Sequence, residues 1–119
     1  MFAEKRILVV EDEPMIALDM EQTLSQLGHV DTAETIAEAV GAITEAKVDL
    51  VVMDFQLRDG IAYPLAVELS NRKIPFVICS GSPGLEEFGQ VFRDAPLVPK
   101  PYTTDCLLAA VRKAAVHSR

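Results

Sequence analysis

Four short apolar runs in the sequence each lead into a residue that could take part in chemistry. Glu11 and Asp12 follow the first run, Asp54 follows the second, and Ser80 and Lys100 follow the third and fourth. Clustered carboxylates repel one another, so they either take up protons or hold a cation. Oxygen ligation with few protein ligands suits Mg²⁺, which keeps several waters and accepts a phosphate oxygen. The Ser80 hydroxyl and the Lys100 ammonium would then be donors for the phosphate.

These residues share a site only if the apolar runs are neighbouring strands of one sheet. Residues 7–10, 50–53 and 76–79 are continuous and rich in β-branched side chains, as buried parallel strands are. Residues 30–34 alternate and residues 97–98 form a short run, so both are predicted as weaker or edge strands. Ligands of open α/β sheets bind outside the carboxyl ends of the strands. The pattern therefore predicts a flavodoxin-like (βα)₅ fold, with a five-stranded parallel sheet in order 2-1-3-4-5 and helices on both faces.

The apolar spacing between the strands predicts four regular helices and one weak one. The inward residues of the regular helices are Ile16, Met20, Leu24 and Leu27; Ile36, Val40 and Ile43; Leu65 and Leu69; and Leu107, Leu108, Val111 and Ala115. Gly28 is predicted to end the first, residues 35–38 have the form of a capping box, and the last should begin near Thr104. Five glycines and prolines interrupt residues 81–96, so the fourth helix of the fold should be short or irregular.

Composition sets the class of protein. The 119 residues are enough for one domain, with 50% apolar and 24% charged residues. The net charge of −7 argues against a general binder of nucleic acid or anionic membrane. Apolar runs are far shorter than the roughly 20 residues of a membrane span, and the N-terminus has no secretory h-region. Cys79 and Cys106 are predicted as core residues of a protein in the reducing cytoplasm.

The chain resembles the response-regulator receiver domain of two-component signalling. The resemblance rests on residues 7–14 (Ile-Leu-Val-Val-Glu-Asp-Glu-Pro), residues 52–57 (Val-Met-Asp-Phe-Gln-Leu), Ser80-Gly81 and Lys100-Pro101-Tyr102. These motifs occur in the family's order and spacing, and they span essentially the whole chain. The resemblance implies one receiver domain over residues 1–119, without an output domain.

The resemblance also implies a role for each residue at the strand ends. Asp54 would accept a phosphoryl group from a kinase phosphohistidine. Asp12 would bind Mg²⁺ directly and Glu11 largely through water, and the backbone carbonyl of Gln56 would complete the metal site. Ser80 would bind a phosphoryl oxygen in the active state. Lys100 would pair with the phosphoryl group, and the Lys100–Pro101 bond is expected to be cis.

The sequence departs from the family pattern in three places. Leu97 stands where an aromatic switch residue is frequent, the loop after Asp54 is short, and residues 81–96 replace a robust helix. A short Leu-x-Asp-Gly loop with a degenerate fourth helix resembles a subgroup of stand-alone receivers. The side chains of Gln56 and Ser82 should flank the attacking water and tune the lifetime of the phosphoaspartate.

Signal output is predicted to depend on order and disorder in residues 81–92. The apolar residues around this segment would form a surface that receives a downstream protein: Phe88, Val91, Phe92, Leu97 and Tyr102. A bistable element is the one most easily biased by added charge. The upstream partner is expected to be a sensor histidine kinase or a phosphotransfer protein, with a phosphorylation-dependent dimer as a further option and no direct contact with nucleic acid or membrane.

Two other functions fit the same fold class. A Mg²⁺-dependent phosphohydrolase with an aspartyl-phosphate intermediate usually needs a second acid two residues after the nucleophile, and Gln56 occupies that position. A flavin carrier would need a hydroxyl-rich phosphate loop after the first strand, where residues 11–13 would instead repel a phosphate. The signalling function is therefore favoured, and the phosphohydrolase is the alternative.

Overall fold

The protein folds into a parallel five-stranded sheet covered by helices on both faces, as the alternating apolar runs predict. The structure is a computed structural model, and it describes residues 5–80, 95–99 and 102–116. The strands of the sheet are β1 (Arg6–Val10), β2 (His29–Ala33), β3 (Leu50–Asp54), β6 (Phe76–Ser80) and β7 (Leu97–Pro99). Two further strands, β4 (Gln56–Leu57) and β5 (Gly60–Ile61), form a separate hairpin.

The sheet has the predicted topology. Its spatial order is β2-β1-β3-β6-β7 with every pair parallel, which is the flavodoxin-like order expected from the sequence. The weakly patterned second strand lies at one edge, and the short strand β7 lies at the other. The carboxyl ends of β1, β3, β6 and β7, called the carboxyl edge below, therefore lie side by side.

Alternating residues of the central strands divide the core into two layers. In β1, Ile7 and Val9 pack on one face of the sheet, whereas Leu8 and Val10 pack on the other. The first face is covered by α1 (Pro14–Leu24) and α4 (Thr104–Val116), and the second by α2 (Ile36–Glu45) and α3 (Tyr63–Asn71). Burial on both faces explains why these strands are continuously apolar in the sequence. No helix in the described ranges is long and apolar enough to cross a membrane.

Several local predictions are confirmed. Thr35 caps α2, because its side chain accepts a hydrogen bond from the Glu38 N–H at 3.0 Å. The Glu38 carboxylate in turn accepts the N–H of Glu34 at 2.8 Å, one residue before the cap. Helix α3 carries Pro64 in its first turn and buries Leu65 and Leu69. Helix α4 begins at Thr104 as expected.

Other local predictions are wrong. Helix α1 ends at Leu24 with Ser25 as its C-cap, so Gly28 follows a separate turn, closed by a hydrogen bond from the Leu27 N–H to the Leu24 carbonyl. Val40 is exposed because α2 turns Ala39 and Ile43 to the core instead. For the first cysteine, in contrast, the prediction is confirmed, because Cys79 is buried.

The prediction for the second cysteine also fails. Cys106 is exposed, since α4 directs Leu107 and Leu108 inward. The predicted short fourth helix and the Lys100–Pro101 peptide lie outside the described residues.

The hairpin after Asp54 was not predicted as a hairpin. Gln56 pairs with Ile61 and Leu57 with Gly60, which leaves Arg58 and Asp59 as the turn. Gly60 has φ +136°, a conformation that side chains rarely adopt. An Asp-Gly pair between apolar residues is a hairpin signal that could have revealed this turn to within one residue.

Candidate functional site

Three carboxylates from two strand ends meet at the carboxyl edge of the sheet. Glu11 and Asp12 follow β1, and Asp54 is the last residue of β3. One carboxylate oxygen from each of the three lies within 4.8 Å of the other two. The strands β1 and β3 are direct neighbours in the sheet, and their parallel register brings the two acidic ends together.

The three carboxylates differ in exposure. Glu11 is only 1% exposed, whereas Asp12 and Asp54 are partly exposed. The buried Glu11 carboxylate accepts the backbone N–H of Glu13 at 3.0 Å, which orders the turn between β1 and α1. Asp12 and Asp54 therefore have access to solvent, whereas the Glu11 carboxylate is buried and held by a backbone hydrogen bond.

The donor set fits a hard divalent cation. Carboxylate oxygens in mutual reach, with solvent access for further waters, are the ligands that Mg²⁺ prefers. Gln56 lies two residues after Asp54, and its N–H approaches the Asp54 Oδ1 at 3.4 Å. This contact holds the start of the hairpin beside the acidic cluster. The side chain of Gln56 is exposed.

The other predicted site residues are placed only in part. Ser80 ends β6, next to Cys79, whose Cα pairs with that of Asp54, so the Ser80 backbone lies on the neighbouring strand end. Lys100 and Ser82 lie outside the described residues. Of the predicted output surface, Leu97 is 54% exposed on β7.

The rest of the predicted output surface gives a mixed picture. Tyr102 is half-buried and packs against the layer that contains α1 and α4. Burial raises the pKa of its hydroxyl well above the usual range, and the neighbouring Cys79, Asp19 and Glu11 add to the shift. Phe88, Val91 and Phe92 lie outside the described residues.

The turn of the hairpin contributes two residues that sequence reasoning missed. The Asp59 carboxylate accepts the N–H groups of Ile36 at 3.0 Å and Ala37 at 3.3 Å, at the N-terminus of α2. These hydrogen bonds, led by that from Ile36, lower the pKa of Asp59. Asp59 thus satisfies backbone donors that the first turn of a helix leaves free.

Arg58 ties the same turn to the acidic site. Its guanidinium donates to the backbone carbonyl of Asp12 at 3.5 Å and lies 3.5 Å from the Glu34 carboxylate. The hairpin is therefore attached both to the loop that carries Asp12 and to the loop before α2. Nothing in the sequence spacing signals these contacts, because the partners are far apart along the chain.

Comparison with known proteins identifies the architecture of this site. The model of the response regulator receiver domain matches residues 7–112. The chain belongs to the response regulator receiver domain family. Receiver domains are the regulatory phosphoacceptors of two-component signalling, and the resemblance seen in the sequence is thereby confirmed.

Individual relatives agree with this assignment. The chain is 34% identical over 113 residues to the phyllosphere-induced regulator PhyR of Methylorubrum extorquens, covering 91% of this chain and 42% of the relative. It is 30% identical to the transcriptional regulatory protein PdtaR of Mycobacterium tuberculosis, covering 97% of this chain and 58% of the relative. The chain spans about half the length of these curated relatives.

One solved structure matches this chain over nearly the full length of both proteins. SdrG from Sphingomonas melonis Fr1 is 36% identical with a TM-score of 0.76, covering 96% of this chain and 98% of SdrG.

Proposed function

We propose that Asp54 accepts a phosphoryl group from the phosphohistidine of a sensor kinase or phosphotransfer protein. The observation that carries this proposal is the convergence of Glu11, Asp12 and Asp54 within 4.8 Å at an open strand end. Membership of the receiver family supports it. A partly exposed carboxylate at the end of a buried strand is fixed in position and still accessible to a donor.

The reaction is a direct transfer between two side chains. An Asp54 carboxylate oxygen attacks phosphorus, the O–P bond forms, and the P–N bond to the donor imidazole breaks. The electron pair of that bond leaves with the imidazole nitrogen. In-line transfer of this kind depends on positioning and on positive charge near the phosphoryl oxygens.

The chain's residues supply that environment. Mg²⁺, when bound by Asp12 and Asp54 with the Gln56 carbonyl, and by Glu11 through water, would supply positive charge at the phosphoryl oxygens. Glu11 orders the β1–α1 turn, and Gln56 N–H orients one oxygen of Asp54. Lys100 and Ser80 are proposed as phosphoryl-oxygen donors, following β7 and ending β6 respectively.

Phosphorylation by acetyl phosphate tests the acceptor. The wild-type chain should gain one phosphoryl group in the presence of Mg²⁺, seen as a single mass increase of the intact protein, and none with a chelator. Asp54→Asn should abolish the gain. Asp31→Asn is the matched control, because it removes an exposed aspartate of β2 that lies outside the cluster.

The possible outcomes distinguish a phosphoacceptor from an aspartyl-phosphate hydrolase. Equal modification of Asp54→Asn and wild type would contradict the proposed acceptor. Continuous release of phosphate over many turnovers, with little phosphoprotein present, would instead favour the aspartyl-phosphate hydrolase. Gln56 argues against that alternative, because an amide cannot protonate a leaving group as an acid does.

The lifetime of the phosphoaspartate is proposed to depend on Gln56 and Ser82. The Gln56 side chain is exposed, and the backbone N–H of the same residue contacts the Asp54 carboxylate. This proximity supports a role for Gln56 beside an attacking water. Gln56→Ala together with Ser82→Ala should change the half-life of the phosphorylated protein, measured by loss of the added mass. An unchanged half-life would contradict this role.

Output is proposed to reach a downstream protein through the surface around Leu97. Exposed Leu97 lies on the edge strand next to β6, which ends at Ser80. Hydrogen exchange with and without beryllofluoride tests the predicted order–disorder change in residues 81–92. Equal protection of residues 81–102 in both states would contradict this output mechanism. Added protection while the protein remains a monomer in solution would show that the change does not come from dimerisation.

A further inference from the structure

A pocket opens at the edge of the sheet opposite the acidic site. Its volume is about 330 Å³, and it lies among the segments that precede β1, β3 and β6. We call it the amino-edge pocket; its described lining includes residues 5 and 7, 47–50, 72–75, 111 and 115. A volume of this size is at the lower end of the range for small-molecule sites.

The mouth of the amino-edge pocket is strongly basic. Lys5, Lys47, Arg72 and Lys73 line it, which is four of the 11 Lys and Arg residues of a chain with net charge −7. Asp49 is the one carboxylate among the described lining residues. The pocket is therefore a local positive region on an acidic protein, and it favours an anion.

Two of the four cationic side chains, Lys47 and Arg72, have an acidic partner. Asp49 already accepts the backbone N–H of Arg6 at 2.8 Å and lies 3.9 Å from Lys47, while Arg72 pairs with Glu68 at 2.6 Å. Within residues 5–80, 95–99 and 102–116, no carboxylate lies in ion-pair distance of Lys5 or Lys73. Among the described residues, these two ammonium groups therefore have no acidic partner that would compete with a ligand.

Part of the pocket wall is apolar. Val48, Ile74, Pro75 and Ala115 line the pocket and are partly exposed, whereas the lining residues Ile7, Leu50 and Val111 are each at most 3% exposed. An inorganic anion would leave this surface without a partner. A ligand with an apolar body would cover it and gain free energy from the area removed from water.

Lys73 occupies a backbone position that suits glycine better. Its φ is 60°, and its N–H bonds to the Ser70 carbonyl at 3.1 Å while Ile74 N–H bonds to the Leu69 carbonyl at 2.9 Å. This is the Schellman arrangement at the end of α3, in which glycine is the usual residue. A lysine here costs stability, and Lys73 is among the residues that line the pocket.

We propose that the amino-edge pocket binds a small organic anion, with its acidic group at Lys5 and Lys73 and its apolar body on the partly exposed surface of Val48, Ile74 and Pro75. The ligand class is a carboxylate, sulfonate or phosphate ester on a body about the size of one or two rings. The site is separate from the acidic cluster, and the proposal does not depend on phosphorylation of Asp54.

Titration with naphthalene-2-sulfonate, followed by amide chemical shifts, tests the site. We expect saturable shifts concentrated in residues 47–50 and 72–75. The neutral 2-naphthol and inorganic sulfate each supply half of the proposed recognition, so each should bind roughly tenfold more weakly or worse. Equal binding of either one, or shifts spread evenly over the protein, would overturn the proposal.

Variants locate the charge contribution. Lys73→Gln and Lys5→Gln should each weaken binding by roughly three- to tenfold, the range for partly screened charge contacts. Lys113→Gln removes the same charge from an exposed position of α4 outside the pocket and should leave the Kd unchanged. Equal weakening by Lys73→Gln and Lys113→Gln would show a general charge effect and overturn the site.

Lys73→Gly separates binding from folding. It removes the ammonium group and relieves the left-handed backbone, so it should raise the melting temperature while weakening the sulfonate. Unchanged affinity in this more stable variant would show that Lys73 does not contact the anion. Loss of affinity could then not be attributed to a disrupted fold.

Discussion

Asp59 shows how one side chain can join two parts of a receiver domain. Its carboxylate accepts two N–H groups at the start of α2, which lies 22 to 23 residues away in the sequence. A negative charge at a helix N-terminus is favourable, and here it also anchors the hairpin that follows Asp54. The position of the loop beside the acidic cluster therefore depends on a residue outside that cluster.

Asp59→Asn should lower the stability of the protein in a pH-dependent way. The pKa of Asp59 is lowered from 3.8, first by the Ile36 N–H and then with help from Ala37, so its stabilising effect is present above that value. The effect is lost as the pH falls through the lower pKa of the folded state. The wild type should exceed the variant in urea midpoint at pH 7, and the difference should shrink below pH 3.8.

A control separates this effect from general charge removal. Asp31→Asn eliminates an aspartate whose ion pair with Arg6 and contact with His29 are both exposed, and such surface contacts contribute little. Its urea midpoint should stay close to that of the wild type at pH 7. A midpoint for Asp59→Asn equal to that of Asp31→Asn would refute the capping role.

At the scale of elements, two glycines have opposite roles. Gly41 lies inside α2, and a Cβ there would meet no atom within 4 Å. Gly41→Ala should therefore stabilise the protein by about 0.5–1 kcal/mol, because glycine loses more conformational entropy in a helix than alanine does. Thermal or urea unfolding measures the difference.

Gly60→Ala is the matched comparison in the hairpin. The φ of Gly60 is +136°, so an alanine there is strained even though the nearest atom, the Ile36 Cδ1, is 3.9 Å away. We expect the variant to be less stable than the wild type by about 1–2 kcal/mol. The hydrogen bonds from the start of α2 to the Asp59 carboxylate should also weaken. Equal effects of the two substitutions would show that backbone conformation does not decide the outcome.

At the scale of the molecule, the two ends of the sheet carry opposite charge. Three carboxylates converge at the carboxyl edge, and four cationic side chains surround the amino-edge pocket. Like charges held close together cost stability when no counter-ion is bound. Repulsion among these carboxylates should therefore lower the stability of this end, while the two buried layers supply the stability of the fold.

Removing one acidic charge should reveal that cost. Without divalent cations, Asp12→Asn should raise the free energy of unfolding by at least about 1 kcal/mol, the Coulomb energy of two like charges some 4 Å apart in water. Mg²⁺ at ten times its Kd should stabilise the wild type by about 1.4 kcal/mol and the variant much less. Thermal unfolding with and without Mg²⁺ measures both effects.

The result depends on the place of the charge. Glu21→Gln removes one negative charge from α1 outside the cluster, so its melting temperature should stay near that of the wild type in both conditions. A lower stability of Asp12→Asn in the absence of divalent cations would mean that the carboxylate is held by the fold and not repelled by its neighbours.

The sequence alone determined the sheet and the convergence of the acidic residues. Strands buried on both faces are apolar throughout, and parallel strands place their carboxyl ends at one edge of the sheet. Glu11, Asp12 and Asp54 could therefore be placed together from their positions after two four-residue apolar runs. Local signals such as the Thr35 cap and Pro64 in α3 also sufficed, because their partners lie within one helical turn.

Only the tertiary structure decided which exposed groups meet. Arg58 reaches the Asp12 carbonyl and Asp59 reaches α2 across long stretches of chain, and no periodicity records such contacts. Cys106 is exposed because the rotation of α4 about its axis is set by packing on the sheet. The amino-edge pocket is likewise assembled from separate segments, since Lys5 and Lys73 become neighbours of one cavity only when β1 and the start of β6 enter the same sheet.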